Sequence, residues 1–186
     1  MMKRSYGALL VLLTPLALTF CDDKDFPNFV VTPTTPGVRN AAVAILDQCD
    51  STTFNAALGP GTCTKAGNVT FAQFNAELAA NKSVAAWRFD PNTLNISLGG
   101  QITATNQGGE IHTFTEVENF GGGINPALNQ ASGNLVPAPE CTVLSAADSI
   151  KPGGTFKTDA ATTIGTEKYQ CCIHPWMRAT ATVSTP

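Results

Sequence analysis

Two periodicities divide the chain. Between Thr70 and Leu78 the apolar residues Phe71, Phe74 and Leu78 fall at helical spacing, the stripe that one helix face buries. From residue 84 onward the spacing drops to two. Trp87 and Phe89 alternate with polar neighbours, as do Leu94, Ile96 and Leu98, the pattern of half-buried strands. Gly99-Gly100 reads as a turn into a strand over 101–106, and Gln107-Gly-Gly109 as a turn into His112-Thr-Phe-Thr-Glu-Val117. A strand near Thr155-Phe-Lys157 and a last hairpin over 167–171 and 179–183 complete the set. Short alternating strands parted by Gly and Asn predict a mainly β protein built as an antiparallel Greek-key β-sandwich.

Before residue 84 the signals are helical. Asp50 stands at the N-cap of a short helix that Gly59-Pro-Gly61 stops, and Thr70 and Gln73 have capping-box spacing. Val43-Ala-Ile-Leu46 reads as a short strand. Residues 38–83 are therefore expected to form a small N-terminal helical extension, and 84–186 the β domain. The Phe71, Phe74 and Leu78 stripe serves to dock one on the other. Residues 120–140 form a polar excursion with a helical turn inside 125–135.

Residues 1–20 have the make-up of an export signal, with Lys3 and Arg4 ahead of the apolar run Ala8-Leu-Leu-Val-Leu-Leu13. Residues 21–37, rich in Pro, Thr and Asp, read as a tether. Cys21 stands where a lipoprotein cysteine would, although Phe20 departs from the small residue such a site prefers. The expected location is exported, periplasmic or extracellular, with contact to a membrane only through a lipid anchor at Cys21.

Composition narrows the picture. The chain has 186 residues, 43% hydrophobic and 13% charged, with a formal charge of −3 that becomes more negative without Lys3 and Arg4. There is no basic stripe, which excludes nucleic acid as the expected partner. The six cysteines of an exported chain favour disulfides. Cys49 and Cys63 enclose a short loop and are expected to pair. If one of Cys171 and Cys172 binds metal, the other is free for Cys141.

The chemistry gathers in Tyr169-Gln-Cys-Cys-Ile-His-Pro-Trp-Met177. It holds one of only two histidines and, beyond the first two residues, the only methionine. Cys171, His174 and Met177 are each parted by two residues at the junction of two strands. The other imidazole, His112, is the sole further nitrogen donor of this kind. A thiolate, two imidazoles and a weaker thioether describe a type 1 copper site. A bland disulfide-bearing loop and a zinc site are the alternatives, though thioether sulfur suits zinc poorly.

With these residues in view, the region from about Trp87 to Val183 resembles the cupredoxins, the blue copper proteins that include plastocyanin, pseudoazurin and amicyanin. The Cys-x2-His-x2-Met loop, with Pro175 after the histidine, is most similar to amicyanin. The resemblance implies one type 1 copper ion held by His112, Cys171, His174 and Met177, with one-electron transfer to redox protein partners and no enzymatic turnover. It also implies that His174 is the solvent-edge ligand, with Ile173, Pro175 and Trp176 as an apolar docking rim. Thr113 stands where the small members carry Asn, so its hydroxyl must make the bond that locks the copper loop, or that bond is absent.

Strand alternation separates the adjacent cysteines. Tyr169 and Cys171 share one face, and Lys168, Gln170 and Cys172 the other. Cys171 is thus the expected ligand and Cys172 the expected partner of Cys141, with Cys172-x-His174 as the rival ligand pair. Glu110, Glu116 and Glu118 either steer a basic partner or are merely solvated. A copper-carrying protein that delivers the ion to an oxidase is the alternative function, and an open redox site without Met177 is a weaker one.

Overall fold

The computed structural model describes residues 38–186. The expected export signal at 1–20, the tether at 21–37 and the lipid site at Cys21 lie outside the described residues. Among the described residues seven strands are present: β1 (Val38–Leu46), β2 (Arg88–Asp90), β3 (Thr93–Asn106), β4 (Thr115–Val117), β5 (Thr155–Lys157), β6 (Gly165–Gln170) and β7 (Arg178–Ser184). They run in the order β2-β1-β3-β7-β6-β4, and β5 pairs with β3. Three α-helices accompany them: α1 (Ser51–Leu58), α2 (Phe71–Asn81) and α3 (Pro126–Ser132). The protein is mainly β, as expected, but the sheet is mixed. β1 pairs with β3 in parallel, and so does β7.

β3 explains how so few strands enclose a core. Its first part, Thr93–Ser97, pairs with β7, and Gln101–Asn106 pairs with β1. Between them Gly99 takes φ +79°, a backbone region that favours glycine. The β1 register shifts across the same place. Gly99-Gly100 therefore bends one continuous strand instead of reversing it.

The N-terminal stretch also differs from expectation. Residues 38–46 are not part of a separate helical unit. They form β1 between β2 and β3, because the second half of β3 would otherwise present an unpaired edge. Val43 and Ile45 face the core. The helices follow the sequence signals more closely. The Asp50 side chain accepts the Thr53 N–H, and Thr70 and Gln73 form the capping box. The helical turn expected inside 125–135 is α3, capped by Asn125.

The main core joins helices and sheet. Phe74 and Phe54 pack on Trp87 with ring centroids 4.8 and 5.7 Å away, and Phe114 stacks on Tyr169 at 4.5 Å. Aromatic pairs of this kind contribute about 0.5–1.5 kcal/mol beyond their buried area. A second, smaller cluster of Val117, Ala138, Cys141 and Cys172 lies apart from it. Tyr169 and Cys171 belong to the main core and Cys172 to the small one, the partition that strand alternation predicts.

Cys49–Cys63 and Cys141–Cys172 are disulfides, and Cys171 is the free cysteine among the described residues. Closing loops of this length restricts the unfolded chain by about 3–4 kcal/mol each in the chain-entropy account. Among the described residues no helix is long and apolar enough to cross a membrane.

Candidate metal centre

Three segments bring the donors together. β6 ends at Gln170, and the chain turns through Cys171–Met177 into β7. Two backbone bonds close this loop: Met177 N–H donates to His174 O at 2.9 Å, and Cys171 N–H to Met177 O at 3.0 Å. His112 lies before β4 and exchanges backbone bonds with Ile150 at 3.1 and 2.7 Å. It is not part of a strand over 112–117, as the sequence suggested. Only 115–117 is strand, because His112 is bridged by a different neighbour.

His112, Cys171 and His174 converge, with their donor atoms all within 4.8 Å of one another. The Cys171 Sγ lies 3.7 Å from His112 Nδ1 and 3.8 Å from His174 Nδ1. The three residues are 0%, 0% and 4% exposed. Met177, 1% exposed, lies in the same core cluster as Cys171.

The electrostatics prepare a thiolate. Burial opposes the charged form of Cys171, but hydrogen bonding from His112 and His174 outweighs it and holds the thiol well below its usual range. Thr113 N–H also points at the sulfur, at 3.5 Å. Burial likewise opposes the His112 imidazolium, yet Asp47 and Cys171 push its pKa up to about 9. A thiol drawn toward its thiolate beside two imidazole rings, buried and without a disulfide partner, is a donor set that fits copper.

His174 is not at a solvent edge. Its ring packs 5.5 Å from Trp176, which in turn lies 5.9 Å from Phe74 of α2. Above it lies a cavity of about 330 Å³, where Leu58, Ile111, Leu128 and Ile173 surround Glu110 and His174. Pro175 is buried and Trp176 half-buried. α1, α2 and α3 therefore cover the face that the resemblance left open.

The Thr113 hydroxyl accepts the Cys172 N–H at 2.8 Å, so the bond between the two loops is present. Cys172 O in turn accepts the Ile124 N–H at 2.7 Å.

Sequence reasoning missed Asp47 and read Glu110 as a steering or solvated charge, whereas Glu110 is buried against Trp87. Asp47 Oδ2 lies 2.9 Å from His112 Nε2, with both side chains 0% exposed. Glu110 Oε2 accepts Trp87 Nε1–H at 2.6 Å and lies 3.6 Å from His174 Nε2. Burial raises the Glu110 pKa, offset in part by His174 and the Trp87 bond. One local signal was available for Asp47. It continues the inward alternation of Val43 and Ile45, an odd place for an unpaired charge.

No family model matches the chain. No curated protein matches it either. Among solved structures it is similar to a purple cupredoxin from Nitrosopumilus maritimus, at 17% identity over 77% of this chain and 99% of that one, TM-score 0.42. It is similar to oxidised plastocyanin from Dryopteris crassirhizoma at 18% identity over 77% and 99%, TM-score 0.39. A reduced Cu(I) amicyanin variant is similar at 19% identity over 55% and 78%, TM-score 0.36. In this chain the His, Cys, His group lies just after β6 and just before β4.

Proposed function

We propose that this chain is an exported one-electron carrier that holds a single copper ion through His112, Cys171 and His174, with Met177 as a weaker fourth ligand. The observation that carries this reading is the convergence of three buried donors on one point, one of them the free cysteine. A copper ion bound there would supply a Cu(II)/Cu(I) couple.

The chain's own residues serve that use in three ways. His112 and His174 hold Cys171 well below its usual thiol range, so the proton that leaves when metal enters is that of the His112 imidazolium, whose pKa is pushed up to about 9. The Thr113 hydroxyl ties the His112 segment to the 171–177 loop, and the Met177 backbone bonds close that loop on itself, so the donors keep one arrangement. Burial of all three donors keeps bulk solvent from them, and with Met177 as a fourth ligand no position would remain for a substrate. Electrons would pass to redox proteins, and neither nucleic acid nor a substrate is engaged. The two disulfides fit an oxidising compartment outside the cytoplasm.

The covered His174 favours retention of the ion over delivery to an oxidase. The test is addition of Cu(II) to the purified protein. An intense visible band that disappears in Cys171→Ser supports the reading, and a colourless wild-type protein overturns it. Rapid loss of the ion to a copper-free acceptor would favour delivery instead.

A further inference from the structure

We propose that Asp47 is a positioning residue of the metal centre, accepting the Nε2–H of His112 and so keeping Nδ1 turned to Cys171. This rests on the copper reading above. A neutral imidazole has one N–H and one lone pair. If Nδ1 gives its lone pair to a metal, Nε2 must carry the proton and, on a fully buried ring, needs an acceptor from the protein. Asp47 Oδ2 stands there at 2.9 Å.

The carboxylate cannot swing away. Oδ1 accepts the N–H groups of Cys49 at 3.2 Å and Gly109 at 2.9 Å, and Oδ2 accepts those of Gly109 at 2.8 Å and Glu110 at 3.0 Å. Cys49 is itself tied to Cys63. Gly108 passes so close that a Cβ there would strike the Asp47 carboxylate. β1 and the disulfide loop thus contribute a part to the metal centre that lies 65 residues before His112 in the chain.

The two histidines are not equivalent in this respect. Glu110 faces His174 Nε2 at 3.6 Å, beyond hydrogen-bond reach, and its nearer oxygen is bonded to Trp87. The Asp47 contact is the direct one. A carboxylate bonded to a ligand imidazole makes that ligand more basic and favours the more highly charged ion.

The experiment compares wild type, Asp47→Asn and Glu110→Gln for Cu(II) affinity, visible spectrum and reduction potential. In Asp47→Asn the affinity should fall about 10–100-fold and the potential should rise, with the band retained. Glu110→Gln should move the potential less. An unchanged potential in Asp47→Asn, or equal shifts in both variants, would overturn the proposal while leaving the copper reading intact. A wild-type protein without the band would overturn both. A second measurement needs no variant. In the nitrogen–proton NMR spectrum of Cu(I)-loaded wild type, the His112 Nε2–H should exchange slowly. Rapid exchange would sink the Asp47 role even if Asp47→Asn does not fold.

Discussion

The hydroxyl of Thr113 accepts the backbone N–H of Cys172 at 2.8 Å. The residue after His112 thereby grips the residue after Cys171. Asn can make such a bond through its amide oxygen, and Thr makes it here with a shorter arm. Thr113→Val keeps the shape but leaves the Cys172 N–H buried without a partner. Thermal or urea unfolding should show a loss of about 1–3 kcal/mol. In the copper-loaded protein the visible band should shift, because the Cys171 sulfur is no longer held against its neighbours.

Cys172 lies across the strand from the candidate metal centre, in the cluster with Cys141, Val117 and Ala138. Replacing both members of that bridge, Cys141→Ser with Cys172→Ser, should cost about 2–4 kcal/mol of stability. The visible band should survive. Its disappearance would mean that Cys172, not Cys171, supplies the thiolate.

Phe74 packs against Trp87, Phe54 and Trp176, and Trp176 leans on His174. Phe74→Ala should destabilise the protein by about 3–5 kcal/mol through the cavity it leaves. It should also open His174 to solvent, read as faster electron exchange with a small soluble oxidant. A large stability loss with an unaltered exchange rate would show that the helices brace the core without shielding the centre.

Glu116 lies on β4 with Glu140 and Glu167 nearby. Burial, then repulsion from Glu167, Asp159 and Glu140, raises its pKa above the usual carboxylate value. A carboxyl with a raised folded pKa favours the fold below its unfolded pKa, and that contribution is lost as pH rises through the folded one. Glu116→Gln should therefore raise the melting temperature at pH 7. The gain should vanish in acid once the carboxyl is protonated, and shrink in high salt. A gain that persists at low pH would mean that charge is not its cause.

Much of this was legible in the sequence. The Thr70 capping box, the Asp50 cap and the inward alternation of Tyr169 and Cys171 are local rules, satisfied by residues a few positions apart. The partition of the adjacent cysteines followed from strand geometry alone. Gly99-Gly100 was harder. A pair of glycines signals a departure from ideal strand, but whether the chain reverses or bends depends on which strands take up its hydrogen bonds. Here the Gly99 N–H and the Gly100 carbonyl bond to Ala161, and β1 takes up the residues that follow, both from distant parts of the chain.

The sequence by itself determined the donor types, their order and the separation of Cys171 from Cys172, because these depend on residue chemistry and on the two-residue strand repeat. Only the tertiary structure decided that His174 is covered, that β1 joins the central sheet, and that Asp47 stands behind His112. Each is a contact between distant segments. The physical reason is the same in every case. Burial and hydrogen-bond partners belong to the packed chain: the alternation of Val43, Ile45 and Asp47 marks the aspartate as inward, but nothing local names a histidine 65 positions away as its partner.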